Sequence, residues 1–348
     1  ECGVEVRLFT KVIDVEKDPD RLCVRGAVVH NVEGYRHIRA KAFIDATGDA
    51  VLSDLCGVGC REPGKDTPKA MGATLCSLFG GISWDSIGMG GVNGAINPAD
   101  EEDALARALA DDHFTQCDHH LPGMHRIGKS TGHLNGGHIF DLDPLNCASL
   151  TAGMISGRKI VREYESFYRK YVRGFQDSEL VVTASSMGVR ESRRISGEYE
   201  LRYDDYCARR QFSDQIGVYN KFVDIHPYDL SAKELMRYRD EIQSRATWLR
   251  EGECYGIPYG ILVPRNSVNL WVAGRCNSSD IKVHGAIRVQ PACSMMGQAA
   301  GTAAVQSVSS HQTASGLDTA ELVLALRRAD AYLPQANLSK TMSRTSAV

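Results

Sequence analysis

Between Val4 and Asp45, short runs of alternating or continuous apolar residues are separated by Asp, Pro, Gly and Asn. The runs VEVRLF, KVIDV, LCVRGAVVH, YRHIRA and AFIDA read as strands, because a period of two turns one face toward a core. KDPD and NVEGY punctuate them as turns, through proline's fixed φ and glycine's tolerance of positive φ. From Gly57 to Glu253 the pattern is polar and irregular, with helical windows at Ala99 to Ala110, Thr151 to Tyr171 and Ser231 to Leu249. In the second window Ile155, Ile160, Val161, Tyr164, Phe167, Tyr168 and Tyr171 recur near a helical period. That spacing predicts an aromatic core stripe, with contact to a cofactor as the second reading. From Gly256 strand and helix alternate again. NLWVAG is an apolar strand, a turn follows, and a helix spans about Pro291 to Val308. A last helix starts at Asp318, where Asp318 and Glu321 make a capping-box-like pair ahead of the apolar face of LVLALRRADAYL. Residues 336–348 are polar and read as a frayed tail.

This order predicts a discontinuous domain made of residues 1–56 and 252–335, with residues 57–251 inserted as a substrate or cap domain. A chain of 348 residues is long enough for both. Composition narrows the class. With 43% hydrophobic and 24% charged residues, the chain reads as an ordinary globular protein. Lys plus Arg number 40 against 43 for Asp plus Glu, a net charge of -3, which gives no electrostatic reason to expect nucleic acid or an anionic membrane as partner. The 11 cysteines are odd in number and include no Cys-x-x-Cys pair, the closest spacing being Cys56 and Cys60. They read as reduced thiols of a cytoplasmic protein. His119-His120 and His133…His138 lack matching ligands nearby, so no metal is expected. No apolar run is long enough to span a membrane, and the N-terminus has no signal-peptide pattern. The chain opens on what reads as a strand rather than on Met, which leads us to expect that further sequence preceded it or lies on another polypeptide.

Two segments carry candidate chemistry. In KAFIDATGD an apolar strand ends in Ala46, Thr47, Gly48 and Asp49, where small residues let a ligand approach backbone at the carboxyl end of the strand. An ordinary strand-to-loop turn is the alternative. In NLWVAGRCNSSDIKVHGAIRVQPACSMMGQAAGTAA a second strand ends at Gly274, and a polar turn with Arg275, Asp280 and Arg288 leads to a helix start at Gln290 and Pro291. Pro291 suits a first helical turn, whose free N–H groups and positive dipole end favour an anion or an electron-rich ring carbonyl. Gly297 and Gln298 lie on that helix, and Gly297 permits close packing on a strand or cofactor.

AKAFIDATGD and the segment from GIPYGILVP to GQAAGTAA together resemble the FAD-dependent oxidoreductases of the two-dinucleotide-binding-domain type, which are broadly related to the fumarate reductase and glutathione reductase flavoproteins. TGHLNGGHIF, GVRESRRISGEYEL and VDIHP are similar to that family as well. The resemblance implies an α/β (α+β) fold with a Rossmann-like FAD-binding domain. FAD is then expected across Ala46 to Asp49 and Gly274 to Gly301, with the Pro291 helix end near the flavin pyrimidine. One departure stands out: the family's Gly-x-Gly-x-x-Gly strand–helix turn for the FAD pyrophosphate is missing. GMGGVNGA, Gly88 to Ala95, follows no strand and does not replace it. The FAD-binding domain is therefore expected to be incomplete, with a longer chain or a second polypeptide supplying that segment.

On the substrate side Arg190 and Arg193, with Arg194 beside them, are candidates for orienting a carboxylate or hydroxyl group, against ion pairing with Glu191 and Glu198. His226 and His284 are candidate general bases, against structural roles. His133 and His138 are expected to line a substrate cleft. The implied activity is hydride exchange between flavin N5 and a small polar substrate, whether a sugar, a hydroxy acid or an unsaturated acid, with an external electron acceptor or donor completing the cycle. A flavoprotein subunit of a multi-chain redox complex and a flavin-free binding module are the rival readings.

Overall fold

The computed structural model describes residues 3–87, 98–116, 118, 123–243 and 247–334. The Gly88 to Ala95 run, His119-His120 and the 336–348 tail lie outside the described residues. In chain order come β1 (Lys11–Lys17), β2 (Val24–Asn31), β3 (Gly34–Arg39), β4 (Phe43–Asp45), α1 (Val51–Leu55), β5 (Cys60–Arg61) and β6 (Ser77–Gly80). There follow α2 (Pro98–Ala110), β7 (Met124–Arg126), β8 (Gly132–Leu134), α3 (Cys147–Tyr171), β9 (Glu179–Thr183), β10 (Arg194–Ile195) and α4 (Tyr203–Cys207). The chain continues through β11 (Gln215–Tyr219), α5 (Ala232–Tyr238), β12 (Tyr255–Pro258), β13 (Leu270–Val272), α6 (Ile281–Ile287), α7 (Gln290–Ser310) and α8 (Thr319–Arg328).

Two compact units result, and the fold is mixed α/β with a Rossmann-like element in the first. Unit 1 contains residues 1–67, 192–225 and 240–348; unit 2 contains residues 68–191 and 226–239. Residues 192–225, which the sequence pattern places inside the insertion, thus pack in unit 1. There Ile195 is buried with Ala50, Val272 and Cys276.

In unit 1, β1, β2 and β3 form an antiparallel sheet. Asn31 pairs with Gly34 at the second turn, where Gly34 takes φ 97. Val4 to Phe9 corrects the sequence expectation, for it is not a strand. Phe9 has φ 53, which breaks the extended run, and Val4, Val6, Leu8 and Phe9 are all exposed. Pairing begins one step later, at Lys11 with His30.

Strands β4 and β13 form a parallel pair, in which Leu270 faces Phe43, Trp271 faces Ile44 and Val272 faces Asp45. This register makes both strands end level, so the turns after Asp45 and after Val272 leave from the same edge. Ligands of parallel sheets bind at such carboxyl ends. Helix α7 buries Ala292, Met296, Ala299, Ala300, Ala303 and Ala304. Its small residues let it lie close on its neighbours, as the run of Ala and Gly predicts. Asp318 caps α8 by accepting from the amides of Ala320 and Glu321.

In unit 2 a four-stranded sheet has the order β7, β8, β6, β9. Helix α3 begins at Asn146, whose side chain accepts from the Ser149 amide. It buries Val161, Tyr164, Phe167, Tyr168 and Tyr171, so the predicted stripe is a core, shared with Phe79, Trp84 and Phe175. Ile155 is the exception at 52% exposure, because it lies off the helix face that buries Gly153, Gly157, Val161 and Tyr164. Among the described residues no helix is long and apolar enough to cross a membrane.

Candidate functional site

Asp45, the last residue of β4, organises the first turn. One carboxylate oxygen accepts from the amide and hydroxyl of Thr47 at 3.1 and 2.8 Å; the other accepts from the amide and hydroxyl of Ser53 at 2.8 and 2.9 Å. The Thr47 hydroxyl in turn accepts the Val51 amide at 3.0 Å, which starts α1 directly after the turn. Ala46 and Thr47 are exposed. Gly48 has φ 78, and a Cβ there would lie 2.7 Å from Arg275 Nη2, so conformation and space both demand glycine.

The second turn mirrors the first. Gly274 has φ 92, and the Asn277 side chain donates to its carbonyl at 2.8 Å. Arg275 crosses to the first turn, donating from Nη2 to Asp49 at 3.1 Å. Asp49 also accepts from the Ser192 hydroxyl at 2.6 Å. Ala273 donates its amide to the Asp45 carbonyl at 3.0 Å, which holds the two turns edge to edge. Arg275 Nη1 is buried without a hydrogen-bond partner among the described residues, an orphaned cationic donor at this edge. Asp280 belongs to the frame of the site rather than to its surface. It caps α6 through the Val283 amide at 2.9 Å and accepts the Tyr203 amide, and burial raises its carboxyl pKa above the ordinary carboxylate value. Arg288 donates to the Asp224 carbonyl at 3.1 Å and lies 3.6 Å from its carboxylate.

Gln290 and Pro291 begin α7 and are exposed. The first intrahelical bond there runs from Cys293 to the Val289 carbonyl, so the amides of Gln290 and Ala292 have no carbonyl one turn earlier in the helix. Burial raises the Cys293 thiol pKa against the opposing pull of Arg275 and Arg288, so the thiol is neutral. Gly297 and Gln298 are exposed, and a Cβ on Gly297 would meet nothing within 4 Å. The glycine therefore leaves an open face instead of a strand contact.

The arginines separate. Arg190, buried, donates to the Gly72 carbonyl in unit 2. Arg193 in unit 1 pairs with Asp54 at 3.1 Å and Glu62 at 3.4 Å, and Arg194 pairs with Asp66 and donates to the Ser279 carbonyl. Glu191 and Glu198, the partners weighed for them, accept the amides of Met71 and Asn266. His284 is wholly buried on α6. His226 lies in unit 2 with Nδ1 2.8 Å from Nε2 of His138. His138 is itself wholly buried, so it lines no open cleft, whereas His133 is half-buried on β8 and burial lowers its pKa. Sequence patterns missed Asp45, Ser192, Asn277 and Asp118. Only Asp45 had a signal, as a carboxylate closing an apolar strand beside threonine.

Two parallel strands ending level in glycine turns, bridged by Asp49 and Arg275 and facing a proline-started helix, define a dinucleotide-cofactor class of α/β protein. The family model described as FAD dependent oxidoreductase matches residues 1–326, and the chain belongs to that family. No curated protein matches the chain closely enough to stand as a relative. FAD is the cofactor of the family, and the chemistry of the residues present fits such a group. Arg275 Nη1 has no hydrogen-bond partner among the described residues, Gly48 and Gly274 take positive φ, and the first turn of α7 leaves amides without a helical partner.

Proposed function

We propose that Ala46 to Asp49, Gly274, Arg275 and the α7 start at Gln290 and Pro291 hold the flavin of FAD, and that the open Gly297–Gln298 face admits it. The substrate is a small polar molecule, a sugar, a hydroxy acid or an unsaturated acid, and an external electron acceptor or donor completes the cycle. When bound, FAD supplies hydride exchange at N5. Everything else is the work of the chain. Asp280 and Arg288 brace the polar turn between β13 and α7. Arg193 braces the first turn through Asp54 and Glu62. Arg190, buried and always charged, orients the carboxylate or hydroxyl of the substrate. His226 takes the hydroxyl proton as the carbon–hydrogen bond is oxidised, or returns it in the reverse direction. We prefer His226 to His284 because His226 stands in a hydrogen-bonded chain that fixes which nitrogen bears the proton.

The observation that carries this reading is the Asp49–Arg275 bridge across two level glycine turns, with a guanidinium nitrogen beside it that has no partner among the described residues. The test uses the full-length natural protein with any co-purifying chain. Anaerobic addition of a panel of sugars, hydroxy acids and reduced acids should bleach the visible flavin band with one class. Arg190→Ala should raise the substrate concentration needed by roughly tenfold or more, as loss of a charged hydrogen bond predicts. Bleaching by none of these classes would remove the substrate assignment.

A further inference from the structure

Residues 118, 138 and 226 are distant in sequence, yet they form one hydrogen-bonded line inside unit 2. Asp118 Oδ2 lies 2.9 Å from His138 Nδ1 and also accepts the His138 backbone amide at 2.9 Å. On the far side of the ring, His138 Nε2 lies 2.8 Å from His226 Nδ1, with the two rings T-shaped at 5.1 Å between centroids. Asp118, His138 and His226 are all buried. The line is held from outside as well. Gln116 donates to the His138 carbonyl at 3.0 Å, and the Gly72 amide donates to the Pro227 carbonyl at 3.2 Å, next to His226. A Cβ on Gly72 would come within 3.0 Å of the His138 side chain, so glycine is what lets this backbone close on the imidazole. Among the described residues, Asp118 meets the His138 ring, Arg190 donates to the Gly72 carbonyl and Glu191 accepts the Met71 amide.

These contacts dictate where protons sit. A carboxylate only accepts, so His138 Nδ1 must carry a hydrogen. In neutral His138, Nε2 is then an acceptor, and His226 Nδ1 must be the donor that meets it. Neutral His226 therefore has its lone pair on Nε2. Only one proton fits in the 2.8 Å gap between the rings, so the pair gains one proton in total while the contact persists.

We infer that Asp118 and His138 are positioning residues that fix His226 as a base through Nε2, and that the proton it takes is shared with His138. When Nε2 of His226 binds a proton, the Nδ1 proton of His226 passes to His138 Nε2. The positive charge then rests on His138 against the Asp118 carboxylate. No proton is lost, and the charge ends beside the Asp118 carboxylate. The use of that base in turnover rests on the function proposed above; the proton arrangement does not.

The test is ¹⁵N NMR of ring-labelled histidine in the full-length oxidised protein, with signals assigned from His138→Gln and His226→Gln variants. The expected result is that His138 and His226 are both Nδ1–H tautomers when neutral, and that they change together as a single protonation event. Asp118→Asn, whose side chain can donate as well as accept, should admit the reversed His138 tautomer. The wild-type tautomers need no variant, so a misfolded Asp118→Asn leaves the inference testable. An Nε2–H tautomer for His226 before the pair takes up its proton, or two protonation events with a separate proton on each ring, would overturn it. Flavin bleaching is read separately. Unchanged bleaching in His226→Gln with the expected tautomers would sink the catalytic assignment and leave the proton arrangement standing.

Discussion

The edge of β4 and β13 in unit 1 and the Asp118–His138–His226 line in unit 2 are both polar sites, built in opposite ways. The first is mostly backbone: two glycine turns, a helix start, and side chains such as Asp45 that serve the backbone. The second is mostly side chains, drawn from three separate segments and clamped by burial. A site made of backbone depends on local conformation, so single residues in positive φ are decisive. A side-chain line depends on tertiary packing, so the aromatic core that holds α3 and its neighbours is decisive instead.

The largest break in that comparison should come from the packing side. Phe167→Ala removes a wholly buried ring from the unit 2 core and should cost about 3–5 kcal/mol, read by thermal and denaturant unfolding. If the units are independent as cofactor holders, FAD content at low temperature should be unchanged. Asp45→Ala strikes unit 1 through its turn. It orphans the buried Ser53 amide and hydroxyl and those of Thr47, a loss of about 1–3 kcal/mol for each buried group left unpaired. FAD should be lost along with stability, and retained FAD would show that the turn is not the cofactor support.

Gly297→Leu sharpens the comparison, since the site's open Cβ direction means that the fold tolerates the side chain while the proposed flavin face does not. Unfolding should be unaltered, or stabilised by up to about 1 kcal/mol through the loss of a helical glycine, with FAD content falling. Unaltered FAD content would clear Gly297 and Gln298 from the site. The smallest effect is in thiol chemistry. Burial raises Cys56 and Cys60 to about 11 and Cys276 to about 12. Raised values mean less thiolate at a given pH, so below about pH 9 iodoacetamide should label exposed Cys147 and Cys207 and spare these three. Fast labelling of Cys276 in folded protein would contradict its burial.

The same contrast explains what the sequence revealed. β4, β13, α7 and the α8 cap were legible because strand, glycine turn, proline start and aspartate cap are local signals. The α3 stripe was legible from its period. Val4 to Phe9 alternates like a strand, but alternation cannot reveal the φ reversal at Phe9 or the lack of a pairing partner. Arg190, Arg193 and Arg194 adjoin in sequence, yet tertiary contacts give each a different partner. Asp118 was silent, because nothing near it in the chain marks a carboxylate whose partner lies at residue 138. His138 was expected to line a substrate cleft, and its place in the middle of a buried line was not legible.

The central claim is that the level glycine turns of β4 and β13 hold FAD. It is tested most directly by the FAD released on denaturing the full-length protein and its Gly48→Val variant, purified side by side with all co-purifying chains identified. Valine at φ 78 would drive its side chain into Arg275. The account predicts stoichiometric FAD from the natural protein and little from a folded variant. Equal FAD from both, or none from the natural protein with its partners present, would contradict it.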